Sequence, residues 1–194
     1  EICACLVGSE MCIRDRTKYF WYLIWFLPLG GVFVWFIYHQ FGKSVANGMK
    51  MVFHVGLGKN NKLPIRMVPL AVIGTWTTHL FGGSAGREGV AVQIGAAVSN
   101  NVGRLVDKTI DIENSRKMFL ITGMAAGFSG LFCTPLAAIF FALEVLVAGK
   151  LEYHALIPAT VASISAAFTS RALGLRKFHI NILETLNYHP STYN

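Results

Sequence analysis

Hydrophobic residues fall along this chain in long uncharged runs separated by short basic connectors. Residues 19–38, 67–86, 118–143 and 153–170 contain no Asp, Glu, Lys or Arg. A helix rising 1.5 Å per residue needs about 17–25 apolar residues to cross a bilayer, and each run reaches that length. The pattern therefore predicts an all-α, multi-pass membrane protein.

Each of the first three runs also carries its own punctuation. Pro28 with Gly30 and Gly31 is expected to bend the first run midway, as neighbouring helices allow in lipid. Pro64 opens the second helix, whose Thr75, Thr77 and Thr78 suit close packing and interhelical hydrogen bonds. His79 on the same helix is either a hydrogen-bonded structural histidine or a proton relay. That helix runs into Gly82-Gly83-Ser84-Ala85-Gly86, five small residues that break it and let backbone approach a ligand. Phe132-Cys133-Thr134-Pro135 interrupts the third run, because proline disfavours helix at the residue before it and suits the first position after the break. Residues 153–175, rich in Ala and Ser, predict a last helix. Residues 42–58, punctuated by glycine and by Lys43 and Lys50, are too polar to span. They read as an interfacial helix turning at Asn47-Gly48, or as a broken helix whose amides face a cavity.

Composition strengthens the membrane reading: 54% of residues are hydrophobic and 14% charged, against roughly 25% charged in soluble domains. The net charge of +7 does not form a nucleic-acid patch. Arg14, Arg16 and Lys18, then Lys59, Lys62 and Arg66, then Arg104, Lys108, Arg116 and Lys117 lie in connectors, where Lys and Arg favour the cytoplasmic side. Lys150 continues that series, while Arg171, Arg176 and Lys177 run against it. Cys3, Cys5, Cys12 and Cys133 show neither CxxC nor Cys/His spacing, which excludes a zinc site or disulfide framework. Residues 1–16 lack an initiator methionine and a signal-peptide core, and read as non-native sequence outside the fold. Residues 176–194 form a polar tail.

The candidate chemistry lies at Arg87-Glu88-Gly89-Val90, where a new helix is expected to start and continue through Gln93 and Gly95 to Leu105. Ionisable residues arriving together at the end of a lipid-grade run mark an ion or proton pathway. The first turn of a helix carries unpaired N–H groups and the positive end of the dipole, so it is a ready anion site. Glu88 is itself an anion there, able to occupy the site or yield it to a solute. A plain N-terminal capping role is the alternative. Glu144, at the end of the third run, reads as a structural pairing residue near an interface, with a proton site as the alternative.

Together these residues resemble the CLC family of chloride channels and proton-coupled anion antiporters. Gly83-Ser84-Ala85-Gly86-Arg87-Glu88-Gly89-Val90, with Gln93 and Gly95, resembles one signature of that family. Ala125-Ala126-Gly127 through Pro135 to Phe141 and Glu144 resembles a second. The resemblance covers residues 17–175 and implies one of the two inverted repeats of the family fold, with broken helices meeting at a midplane anion site. The chain is accordingly expected to be a first-half fragment. Carried over residue by residue, the resemblance implies Glu88 as the gating and proton-coupling glutamate. It places Asn47, Gly48, Met49, Arg87, Gly89 and Val90 around the anion, and gives Pro135 and Glu144 a structural part in the second motif.

Three departures stand out. Val90 replaces the usual proline, and the Gly-Ser-Gly-Ile-Pro loop appears as Ala46-Asn47-Gly48-Met49-Lys50, without the serine hydroxyl. Val145 stands where many antiporters carry an inner acid. These departures resemble the fluoride/proton antiporter branch, with either Asn47 or Met49 in the serine's place. The expected function is proton-coupled fluoride export across the cell membrane, a chloride channel or chloride/proton antiporter being the alternative, and a non-functional truncated fragment a third. Inorganic anion, protons and lipid are the implied partners, with a homodimer at full length. No enzyme activity, cofactor, metal or nucleic acid is implied.

Overall fold

A computed structural model of the chain describes residues 25–42, 45, 47–58, 63–81, 86, 88–107, 115–146 and 151–174. The segments 1–16 and 176–194 lie outside them. The described residues form helices and turns, with no strand among them. In order these are α1 (Leu27–Phe41), α2 (Gly48–Gly56), α3 (Met67–Leu80), α4 (Glu88–Asp107), α5 (Ser115–Phe132), α6 (Pro135–Glu144), a 3-10 turn (Tyr153–Ala155) and α7 (Leu156–Ala172).

Among the described residues, no helix is long and apolar enough to cross a membrane by itself. This corrects the expectation of four full-length spans. α1 has 15 residues and α3 has 14, about 21–22 Å of helix against a hydrocarbon core of about 30 Å. The punctuation within each uncharged run explains the shortfall. Pro28 sits in the first turn of α1, where its missing N–H costs nothing, and the helix passes through Gly30 and Gly31 unbroken. Gly30 instead makes room for a neighbour: a Cβ on it would run into the Phe81 ring at the end of α3. α3 starts at Met67, three residues after Pro64, with the Met67 N–H donating to the Pro64 carbonyl at 3.0 Å.

α4 and α5 share the most extensive interface. They cross backbone to backbone. A Cβ on Gly95 would strike the Gly123 carbonyl, and one on Gly127 would strike the carbonyl of Ala91. Ala91, Gly95 and Ser99 recur every fourth residue and make a small-residue face, the packing that replaces hydrophobic drive between helices in lipid. The Ser99 hydroxyl donates across the interface to the Phe119 carbonyl. Asn101 ties α4 to the entrance of α3, its amide donating to Leu63 O at 3.1 Å and Ala97 O at 2.6 Å. Thr78, expected to bond between helices, donates instead to Gly74 O of its own helix. Asn100 is buried at 1% exposure, and neither its amide nitrogen nor its oxygen has a hydrogen-bond partner among the described residues.

The core lies where α2, α3, α4, α5 and α6 meet, with Val52, Met67, Val92, Leu120, Met124 and Leu143 buried within it. Lys117 of α5 pairs with Glu152 ahead of the 3-10 turn at 2.6 Å. By contrast, α1 and α7 turn apolar faces outward: Trp35 is 63% exposed and Phe168 is 73% exposed. So much exposed apolar surface suits lipid or another protein rather than water.

Candidate functional site

Two helix beginnings and one helix break converge on a cavity of about 320 Å³, lined by Met49, Glu88, Gly89, Val92, Phe128, Phe132 and Phe141. Met49 belongs to the first turn of α2, and Glu88 and Gly89 to the first turn of α4. The N-terminus of a helix is the positive end of its dipole, so both helices bring that end to this side of the fold; in α2 the Gly48 and Lys50 N–H groups already donate to Val45 O and Asn47 O, at 2.9 and 3.0 Å. Gly48 enters α2 with φ +48, a left-handed conformation that glycine adopts without a Cβ penalty. The Gln93 amide comes up beside it from α4: a Cβ on Gly48 would lie 3.6 Å from Nε2.

The opposite wall comes from the break between α5 and α6. Cys133 takes φ 49, unusual for a residue with a Cβ, and Pro135 stands in the first turn of α6. α5 thus stops at Phe132 and α6 restarts at Pro135, as expected from the sequence. The turn places three rings together. Phe128 lies with its centroid 4.6 Å from Phe132 and 4.8 Å from Phe141. The wall is apolar, and among the described residues of the lining Glu88 is the single ionisable one. Its side chain is exposed.

Of the residues singled out in the sequence, Met49, Glu88 and Gly89 come together at the cavity. Gly48 precedes Met49 at the start of α2, with the Gln93 amide beside it. Asn47 is exposed on the turn before α2, and Val90 is half-buried on α4; neither belongs to the lining. Arg87 lies outside the described residues. Pro135 shapes the break, while Glu144 is exposed at the end of α6. Val92 and the three phenylalanines were not among the sequence-based candidates. The clue for two of them was the Phe128/Phe132 pair four residues apart, immediately before a proline break. Among the described residues, no group of three His, Cys, Asp or Glu could hold a metal ion.

Known proteins resemble the chain over most of its length. Residues 30–193 match the family described as voltage gated chloride channel. A chloride/fluoride channel protein of Pseudomonas syringae pv. tomato is 39% identical over 181 residues, which are 93% of this chain and 39% of that relative. An H(+)/Cl(-) exchange transporter, ClcA, of Citrobacter koseri is 34% identical over 117 residues, 59% of this chain and 22% of that protein. The crystal structure of a CLC-type fluoride/proton antiporter superposes with a TM-score of 0.80 at 42% identity, covering 100% of this chain and 48% of that one. The chain thus spans less than half the length of each of these relatives. With two helix starts and a helix break around one cavity, and with that fold shared over its whole length, the chain belongs to the voltage-gated chloride channel (CLC) family and makes up half of the family fold.

Proposed function

We propose that this chain is the first of two repeats of a multi-pass cell-membrane transporter that exports fluoride in exchange for protons, with Glu88 as its gate. The observation that carries the reading is the placement of Glu88 and Met49 on the first turns of two helices facing one cavity. When ionised, the Glu88 carboxylate holds the α4 N-terminus against solute anions. When protonated, it loses the charge that competes for those donors and gives up the place. Anion entry and proton uptake are then linked through one group. A loop without the serine hydroxyl, and with Met49 lining the cavity, favours a small anion bound by backbone N–H groups over chloride. The likeness to relatives described as a chloride/fluoride channel and a fluoride/proton antiporter supports the same choice. The remaining donors come from a second repeat, and the assembled protein is a homodimer in lipid.

The longer protein carrying this chain tests the reading in liposomes. Fluoride release should outpace chloride release, and Glu88→Gln should leave anion movement that no longer drives protons. Equal release of the two anions, or unchanged proton coupling in Glu88→Gln, would return the site to a different mechanism.

A further inference from the structure

The aromatic wall of the cavity is held in place from behind, by α7, a helix that contributes nothing to the lining. Ser129 lies on α5 between Phe128 and Phe132, and its hydroxyl donates to the Ser163 carbonyl of α7 at 2.7 Å. The Ser163 hydroxyl donates in turn to the carbonyl of Pro135, the first residue of α6, at 3.1 Å. The loop closes locally, because the Cys133 N–H donates to the Ser129 carbonyl at 2.6 Å. Ser129 and Ser163 are both fully buried at 0% exposure. A second tie follows two turns along the same face of α7, where Cys133 Sγ lies 3.5 Å from Ser170 Oγ.

One serine of α7 therefore bridges the two sides of the break, with α5 held through its carbonyl and α6 through its hydroxyl. Packing alone would not call for hydroxyls here. Ala159 and Ala167 on the same buried face show that a methyl group fits this contact. The hydrogen bonds add direction: they fix where α6 starts relative to where α5 ends, and so where the Phe141 ring stands against Phe128 and Phe132. We infer that Ser163, with Ser129, is a positioning residue for the cavity, setting the spacing of its aromatic wall and through it the size of anion admitted. The inference rests on the proposed anion function for its consequence in transport, but not for the geometry itself.

Two readouts on the longer protein separate these layers. For geometry, 4-fluorophenylalanine at position 141 is followed by fluorine NMR. Ser129→Ala and Ser163→Ala should each shift or broaden its line, whereas Ser165→Ala, whose hydroxyl bonds within α7 at Ala162 O, should not. For selectivity, the ratio of fluoride to chloride release should fall about three- to tenfold in the two alanine variants, the scale on which small changes of pocket shape discriminate. A purely structural loss would slow both anions equally and leave the ratio intact. Each alanine variant removes one hydrogen bond and keeps the carbonyls, so folding is spared in both; a fluorine line unmoved in both variants overturns the inference. A line that moves while the ratio holds overturns its selectivity half. A parent that releases neither anion while its line responds counts against the transport reading and leaves the positioning role standing.

Discussion

Met49 and Asn47 illustrate how two residues apart in a loop can differ completely in what they face. The sequence left both as successors to a missing serine. In the fold Asn47 is exposed on the turn, and Met49, after the left-handed Gly48, lines the cavity beside Glu88. Removing the Met49 side chain should therefore be felt at the site. Met49→Ala is expected to change fluoride release about tenfold, equivalent to about 1.4 kcal/mol, whereas Asn47→Ala should stay within about twofold, as for a surface change. Rates measured with a fluoride electrode on liposomes of the longer protein check this. A larger effect at Asn47 would reverse the assignment. Glu88 itself was legible from sequence because a charge in an apolar run stands out without any knowledge of its neighbours. Met49 was reached only as one of two candidates for the serine's place, since an apolar residue gains meaning only from the direction in which it points.

At the scale of elements, helix starts and breaks were readable, and contacts between helices were not. Glu88 begins α4 and Pro135 begins α6, both at positions that glycine and proline chemistry picks out locally. The closeness of α4 and α5 is a property of two segments, visible only when Gly95 is found opposite Gly123. For the same reason Val92 and Phe128 escaped notice: no local rule links them to Glu88. Helix lengths were overestimated because an uncharged run counts residues that structurally belong to caps and breaks, as Phe81 does beyond the end of α3. The α4–α5 contact predicts a clear contrast. Gly123→Ala puts a methyl group onto the Gly95 carbonyl and the Ser99 side chain, and should cost about 1–3 kcal/mol or more, because backbone cannot move aside cheaply. Gly31→Ala, in α1 with nothing within 4 Å of the added carbon, should gain up to about 1 kcal/mol from helix propensity. Denaturation midpoints of the two variants in the same detergent provide the measurement. Equal effects would mean that the helices do not cross as described.

The molecule as a whole keeps its polar business on one side of a core and leaves two faces unfinished. α7 exposes Ile157 at 77% and Phe168 at 73%, and α1 exposes Trp25 at 78%, more contiguous apolar surface than a soluble monomer tolerates. The cavity is likewise walled by the described residues on some sides only. Residues 17–194 prepared alone should therefore need detergent, associate with themselves on size exclusion, and show no saturable fluoride flux in liposomes. Saturable flux from the chain alone would show that the site is complete without a second repeat. The buried polarity of α4 has a bearing on how such a protein is made. Gln93, Ser99, Asn100, Asn101 and Arg104 make this helix a poor candidate for release into lipid one segment at a time, since each polar group carries an insertion cost. Two of these groups find acceptors on the flanking elements: Asn101 at the Leu63 carbonyl ahead of α4, and Ser99 at the Phe119 carbonyl of α5 behind it. During synthesis α4 is therefore expected to enter the bilayer together with α5, and not ahead of it. A bulky residue at Gly123 would first be noticed as nascent chain cleared by quality control, before any transporter reached the membrane to be assayed.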